Sequence, residues 1–233
     1  MSQEFDFDRY WLEKFSRCLE QEAGEDVRTR VMLGSEGLNQ TSDRLEVARW
    51  TRTAIEKLST LIDEHKLRTI MTGCACQYPK SDLSDIRQKY AETQNLDIVH
   101  SMLQQRFEKF LEESLELDQT MITEIINRGW GLAGIIDGDS IIATKIPKSG
   151  FLVAYMNETD PQKKRQYYCH CPRVREVIKH GETLPKIYCY CGAGYYKGIW
   201  EEILQKPVQV EVIESVLEGG EVCKISIHLP QGV

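Results

Sequence analysis

Apolar residues recur at helical spacing through the first half of the chain and predict amphipathic helices. In the first of them Trp11 and Phe15 share one face, and Gly24 ends the pattern. Ser81 and Asn95 stand where a side chain caps the first turn of later helices. The spacing predicts helices over residues 5–24, 43–65, 81–93, 95–115 and 118–129.

The periodicity changes in the second half, where short apolar runs are bounded by proline and glycine. Two runs joined by Asp137-Gly138-Asp139 predict a hairpin over 131–146. Further strands are expected over 151–156, 166–171, 186–191, 207–217 and 221–229, and helices are expected over 172–181 and 192–206.

Helices that precede an antiparallel sheet with inserted helices are typical of an α+β fold. The sequence therefore predicts a helical N-terminal half, residues 1–130, packed on a C-terminal antiparallel sheet part, residues 131–233. A single continuous domain, with the same helices packed on the same sheet, fits the pattern equally well.

Charge and composition narrow the range of partners. The 233 residues carry a formal net charge of −7, which argues against a nucleic-acid binder because that function needs a basic surface. No apolar run approaches the roughly 20 residues that span a bilayer. The first residues lack the basic and apolar segments of a signal peptide. We therefore expect a cytoplasmic protein with reduced cysteines and with no membrane or nucleic-acid partner.

Six of the eight cysteines form three Cys-x-Cys pairs, which are the strongest chemical signal in the sequence. Thiolates bind zinc and iron–sulfur clusters, and structural zinc takes four ligands in a tetrahedron. The pairs on the expected strands 166–171 and 186–191 predict a metal site, with zinc ahead of an iron–sulfur cluster, and the first pair is a candidate extension. The predicted ligands are Cys169, Cys171, Cys189, Cys191, Cys74 and Cys76.

Two other interpretations of the cysteine pairs stay open. Free cysteines pack as small hydrophobic side chains in protein cores, and closely spaced thiols form disulfides under oxidation. Cys18 and Cys223 stand alone among apolar residues, so they are expected to be buried and to bind no metal. On a strand, His170 would point away from its neighbouring cysteines and is a candidate acid or base there.

Aromatic residues concentrate around the last helix and indicate a ligand pocket. Tyr196 and Trp200 are four residues apart and share a helix face, which either packs in the core or lines an apolar cavity. Arg173 and Arg175 follow the second cysteine pair and supply cations for a ligand carboxylate. These four residues form the predicted ligand-binding set.

The last third of the chain, with Lys206-Pro207-Val208, Gly219-Gly220 and Cys223, resembles the C-terminal part of small-molecule-binding domains of the 4-vinyl reductase type. Across residues 70–230, TGCACQYP, ATKIPKSG and YCHCPRVR are similar to uncharacterised bacterial and archaeal proteins built on this domain. The resemblance implies a ligand-binding α+β fold shared with haem nitric-oxide sensors and Golgi-transport tethering subunits. Ser215 stands where many such domains carry cysteine, and no histidine can be assigned as a haem ligand.

Three functions follow from these features. The first is a cytoplasmic sensor or carrier that binds a small hydrophobic or carboxylated ligand, with zinc held by the cysteines. The second is a metal- or thiol-dependent hydrolase, which needs an open zinc position or a cysteine beside a base such as His170 or His180. The third is an interaction module that forms a homodimer, as the resemblance to tethering subunits implies.

Overall fold

The first half of the chain is helical in the computed structural model, which describes residues 6–233. Asn95 caps the sixth helix as predicted, by accepting a hydrogen bond from the Ile98 amide. Phe5, where the first predicted helix begins, lies outside the described residues. The helices are α1 (Phe7–Ala23), α2 (Glu25–Met32), α3 (Arg44–Ser59), α4 (Glu64–Gly73), α5 (Ser84–Thr93), α6 (Leu96–Lys109) and α7 (Gln119–Asn127).

Three details of this half differ from the prediction. The sequence pattern does not predict α2, a short helix rich in charged residues. The single helix expected over 43–65 is two helices, because Asp63 starts α4 by accepting a hydrogen bond from the Lys66 amide. A 3₁₀ turn over Lys80–Leu83 precedes α5, so Ser81 lies before that helix and does not cap it.

The predicted hairpin is confirmed, and it lies at one edge of a four-stranded antiparallel sheet. The strands are β1 (Ile135–Asp137), β2 (Ser140–Thr144), β3 (Gln209–Glu214) and β4 (Lys224–His228), and their order in the sheet is β1-β2-β4-β3. Gly138 turns the hairpin with a φ of +57°, a left-handed value that glycine adopts without strain. Ile141, Ile227 and Val210 lie side by side across three strands and fix the register.

Three of the predicted strands are wrong. Residues 151–156 lie in a 3₁₀ turn and α8 (Leu152–Asn157), residues 166–168 end α9 (Pro161–Tyr168), and residues 186–191 form a 3₁₀ turn that continues into α11 (Tyr190–Leu204). The predicted helix between the last two segments is present as α10 (Pro172–His180). Asp160 caps α9 and Pro161 occupies its first turn, where proline is favoured, and these two residues decide the local structure.

One hydrophobic core joins the helical half to the sheet. Ile70 of α4, Trp200 of α11 and Ile227 of β4 are fully buried in the same cluster. Gly194 allows α11 to approach α4 closely, because a Cβ at this position would overlap the Thr72 carbonyl oxygen. Helices packed on an antiparallel sheet give an α+β fold. In the described part of the chain, the helices are too short or too polar to cross a membrane.

Candidate functional site

A cavity of about 380 Å³ lies between the start of α11, the strands β3 and β4, and the segments that follow α4 and precede α10. Most of its wall is apolar or aromatic. Thiols from all three Cys-x-Cys pairs and from the approach to β4 also line it: Cys76, Cys169, Cys171, Cys189, Cys191 and Cys223. The structure therefore brings together the four main cysteines predicted as metal ligands.

Turns and helix ends, not strands, place these thiols. Cys169 and Cys171 bound a short extended break between α9 and α10, and Pro172 fixes the start of α10. Cys189 ends the 3₁₀ turn before α11, and Cys191 lies in the first turn of that helix. Both pairs reach the same cavity because each stands where the chain changes direction.

Burial keeps four of the cavity thiols protonated at neutral pH. Burial raises the pKa of Cys169, Cys189 and Cys223 above the ordinary value, and it raises that of Cys191 to about 12. After burial, Cys223 contributes most to the raised pKa of Cys169 and of Cys189, so it lies close to both. Cys223 is isolated in the sequence but belongs to the thiol group of the cavity. Its exclusion from a metal site stays a prediction.

Cys74 is the one paired cysteine that lies away from the cavity wall. It is buried at the end of α4, where its thiol lies 3.2 Å from the Ile70 carbonyl oxygen. It also lies close to Cys18 of α1, and interaction with the Cys74 thiol lowers the pKa of Cys18 to about 7. Cys18 is half-buried and in contact with a second thiol, a relation that the sequence pattern does not reveal.

A buried ion pair supports the wall at Cys171. Arg173 Nη2 lies 2.9 Å from Asp8 Oδ1, and the two side chains are 1% and 0% exposed. The guanidinium lies 4.3 Å from the centre of the Trp11 ring and donates to the Tyr188 hydroxyl at 3.4 Å. That hydroxyl lies 3.1 Å from Cys171 Sγ. Arg173, predicted as a ligand contact, is thus paired with Asp8 behind the wall.

The other end of the cavity is positively charged. Lys145 follows β2, and its Nζ lies beside the first turn of α11, where a Cβ added to Gly192 would be 3.5 Å away. Lys145 also lowers the pKa of His170 and opposes the raised pKa of the cavity thiols, so its charge acts on the whole site. In the part of the chain that the structure describes, no aspartate or glutamate lines this cavity.

His170 lines the same cavity, whereas a strand would have turned it away from the cysteines. Its Nε2 lies 2.8 Å from the Ile146 carbonyl oxygen. Desolvation by the neighbouring wall, and then the charge of Lys145, lower the pKa of His170, although the side chain is exposed to solvent. Arg175, predicted as a ligand contact, donates to the carbonyl oxygens of Cys169 and His170, both at 3.1 Å, and lies outside the wall.

Only one of the two aromatic residues predicted to bind a ligand faces the cavity. Tyr196 lines it and donates a hydrogen bond to the Gly131 carbonyl oxygen at 3.1 Å. Trp200 is fully buried on the packed side of α11 and is not part of the wall. Tyr195 adjoins Tyr196 and lines the cavity instead.

Sequence reasoning missed Lys145 and Ser215 as wall residues, and it left Tyr188 out of the predicted ligand-binding set. Ser215 lies beside the Cys189 thiol, where it opposes the rise in pKa that burial causes. One feature of the sequence could have indicated Lys145. It directly follows the second apolar run of the hairpin, so its charged side chain lies at the end of the sheet. Tyr188 belongs to the aromatic residues that cluster near the last helix in the sequence, and this clustering was its signal.

The cavity thiols are not arranged as a coordination shell. Among the described residues, no group of three or more His, Cys, Asp or Glu side chains is placed to hold a metal ion. Tetrahedral zinc holds thiolate sulfurs at about 2.3 Å from the metal. The cavity cysteines would therefore have to move towards one another to bind zinc.

Comparison with known proteins finds a match for only the C-terminal third of the chain. A family model described as "Family of unknown function (DUF6144)" matches residues 154–233. The matched part contains Cys169, Cys171, Cys189, Cys191 and Cys223 but not Lys145 or Cys76. No curated protein and no solved structure matches the chain.

Proposed function

We propose that the cavity binds a small, mostly apolar molecule that carries one anionic group, and that the protein acts as a sensor or carrier of this molecule. One observation carries this function: a cavity of about 380 Å³ contains the Lys145 ammonium and no acidic wall residue among the described residues. Ligand pockets are typically about 300–1,000 Å³, with apolar walls and a few polar groups that orient the ligand.

The charges around Lys145 favour an anion over a neutral ligand. Burial and the nearby Arg175 lower the pKa of Lys148, which indicates that cations crowd this end of the cavity. A bound carboxylate, sulfonate or phosphate near Lys145 offsets this repulsion and supplies the counter-charge that a partly buried cation needs. Apolar side chains, aromatic rings and thiols make up most of the remaining wall, which suits an apolar body.

Two fluorescent probes that differ by one charged group test this function. 8-Anilinonaphthalene-1-sulfonate carries a sulfonate, whereas N-phenyl-1-naphthylamine has the same rings without it. We expect the sulfonate probe to bind wild type more tightly than the neutral probe. We expect Lys145→Met to weaken the sulfonate probe about tenfold and to leave the neutral probe unchanged, since an ion pair of this kind contributes roughly 1.4 kcal/mol.

Lys186→Met is the matched control, because Lys186 is exposed and outside the cavity wall. It should bind both probes as wild type does. Circular dichroism and urea unfolding of each variant separate probe binding in the cavity from binding to partly unfolded protein. Equal affinity of wild type and Lys145→Met for the sulfonate probe would rule out Lys145 as the anion-binding residue.

A thiol hydrolase has less support from the geometry. The nucleophile of such an enzyme is a thiolate. Burial raises the pKa of Cys169 and Cys189, which keeps them protonated, and the pKa of the nearby His170 is lowered. Binding is therefore the chemistry that this wall favours over covalent catalysis.

Zinc bound by the cavity cysteines is a second proposal, and the meeting of two Cys-x-Cys pairs in one cavity supports it. Binding would require the thiols to lose protons, since zinc takes thiolates. Elemental analysis of protein purified without added metal should find about one zinc per chain, and Cys189→Ser should remove it. A wild-type chain without zinc, or an unchanged zinc content in Cys189→Ser, would end this proposal.

The 4-vinyl-reductase-like topology, the homodimer and the cytoplasmic location also stay proposals. The antiparallel sheet with β3 and β4 after α11 supports the first, since the resembling domains share a helix followed by two strands. Superposition of an experimental structure on such a domain tests the topology. Light scattering tests the dimer, and cell fractionation tests the location.

A further inference from the structure

Two thiols meet where α1 packs against α4, and neither of them belongs to the cavity wall. Cys18 lies in α1, and Cys74 caps the C-terminus of α4. Cys18 Sγ lies against Gly73, the residue directly before Cys74, so the two thiols are close enough to interact. They are 56 positions apart in sequence, so only the helix packing brings them together. Neither motif spacing nor the cavity accounts for this pair.

Gly73 leaves the space that the pair needs. A Cβ at this position would lie 2.7 Å from Cys18 Sγ, closer than van der Waals contact allows. Cys74 is 1% exposed, whereas Cys18 is half-buried. Cys18 is therefore the more exposed residue of the two, and Cys74 is the buried one. This is the arrangement of an attacking and a resolving cysteine.

We propose that Cys18 and Cys74 form a redox-active pair that closes reversibly to a disulfide between α1 and α4. With a small-molecule disulfide such as oxidised glutathione as the oxidant, the Cys18 thiolate attacks one glutathione sulfur and releases one reduced glutathione. Cys74 loses its proton and attacks Cys18 Sγ, which releases the second glutathione. The two cysteines lose two electrons and two protons, and the oxidant becomes two thiols.

The disulfide would form next to a segment that lines the cavity. Cys191 Sγ lies 3.5 Å from the Cys74 carbonyl oxygen, and Lys14 Nζ donates to the Ala75 carbonyl oxygen at 2.5 Å. Cys76, two residues after Cys74, lines the cavity. The disulfide would therefore tie α1 covalently to the segment that carries one cavity thiol.

Peptide mapping tests the pair in the full-length protein. The chain is incubated with oxidised glutathione near neutral pH, free thiols are blocked with N-ethylmaleimide, and the protein is digested with trypsin without reduction. We expect a cross-linked product of the peptides 18–28 and 69–80 and the loss of two of the eight free thiols. Dithiothreitol should restore both thiols.

Peptide 69–80 contains both Cys74 and Cys76, so variants assign the bond. Cys76→Ser should keep the cross-link, and Cys74→Ser and Cys18→Ser should each abolish it. Gly73→Ala, which retains both thiols, should slow its formation because the new methyl group displaces Cys18 Sγ. Circular dichroism confirms that each variant is folded. A cross-link that persists in Cys74→Ser, or a folded wild type that yields none, would overturn the pair, whatever the cavity binds.

Discussion

The two faces of α11 differ in how closely they are packed. On one face Gly194 lies against Thr72 of α4, and Trp200 is fully buried. On the other face Cys191 and Tyr195 border a cavity of about 380 Å³. Protein interiors are normally packed as densely as organic crystals. A gap of this size beside a tightly packed helix therefore marks a site with room for a ligand.

The glycines of α11 have different roles on its packed face and on its cavity face. Glycine in a helix costs roughly 0.5–1 kcal/mol relative to alanine, so each needs a local reason. Gly194 is required for contact with α4, and Gly192 leaves room beside Lys145 Nζ. Gly198 meets only the end of the Gln77 side chain, at 3.5 Å, and the packing gives it no comparable role. Substitutions at these positions can therefore separate packing from cavity formation.

The largest effect is expected on the packed face. Gly194→Ala places a methyl group against the Thr72 carbonyl oxygen, and α4 and α11 must separate to admit it. We expect the free energy of unfolding to fall by about 3 kcal/mol, at the upper end for an overpacked core. Urea unfolding monitored by circular dichroism measures the change.

Gly198→Ala is the control on the same helix. It removes the conformational cost of glycine without a backbone clash, so the free energy of unfolding should rise by about 0.5–1 kcal/mol. If both variants changed stability in the same direction and by similar amounts, the close approach of α11 and α4 at Gly194 would be wrong.

The helical half was predictable because its signals are local. Asn95 caps α6 within four residues of sequence, and Gly24 ends α1. Apolar periodicity over a dozen residues then specifies which helix face is buried. Apart from the missed helix α2, the errors in this half, such as the break before Asp63, concern element ends, where one hydrogen bond decides the structure.

The segments around the cavity were not predictable in the same way. Tyr188 and Tyr190 alternate with Cys189 as in a strand, yet they lie in a 3₁₀ turn and at the start of α11. They are buried there by contacts with several elements at once, so their alternation in sequence does not indicate a β-strand. Propensity and period cannot distinguish these cases when the run is shorter than two helical turns.

The paired cysteines of the candidate site were predictable from sequence, whereas its other residues were not. The paired spacing predicted that two cysteine pairs lie close together. Both pairs do line one cavity, although the strands assigned to them are wrong: Cys169, Cys171, Cys189 and Cys191. Lys145 and Cys223 reach the cavity from β2 and the approach to β4, and only the order of strands in the sheet brings them together. Sequence spacing carries no information on such long-range neighbours.

A smaller effect is expected on the cavity face, and it depends on pH. Burial, followed by the nearby Cys171, raises the pKa of Cys191 from 9.0 to about 12. Above pH 9 the unfolded chain releases this proton while the folded chain keeps it. The stability that the buried neutral thiol contributes is therefore complete below pH 9 and is lost as the pH rises towards 12.

Comparison of wild type with Cys191→Ala isolates this contribution. We expect the difference in their free energies of unfolding to shrink by about 1 kcal/mol between pH 7.5 and pH 10, in favour of the variant. Val212→Ala is the control, because Val212 lines the cavity without a titratable group, so its difference from wild type should stay constant with pH. If the Cys191→Ala difference were also constant, the thiol would be open to water, and the cavity face of α11 would be a solvent cleft with no dry wall for an apolar ligand.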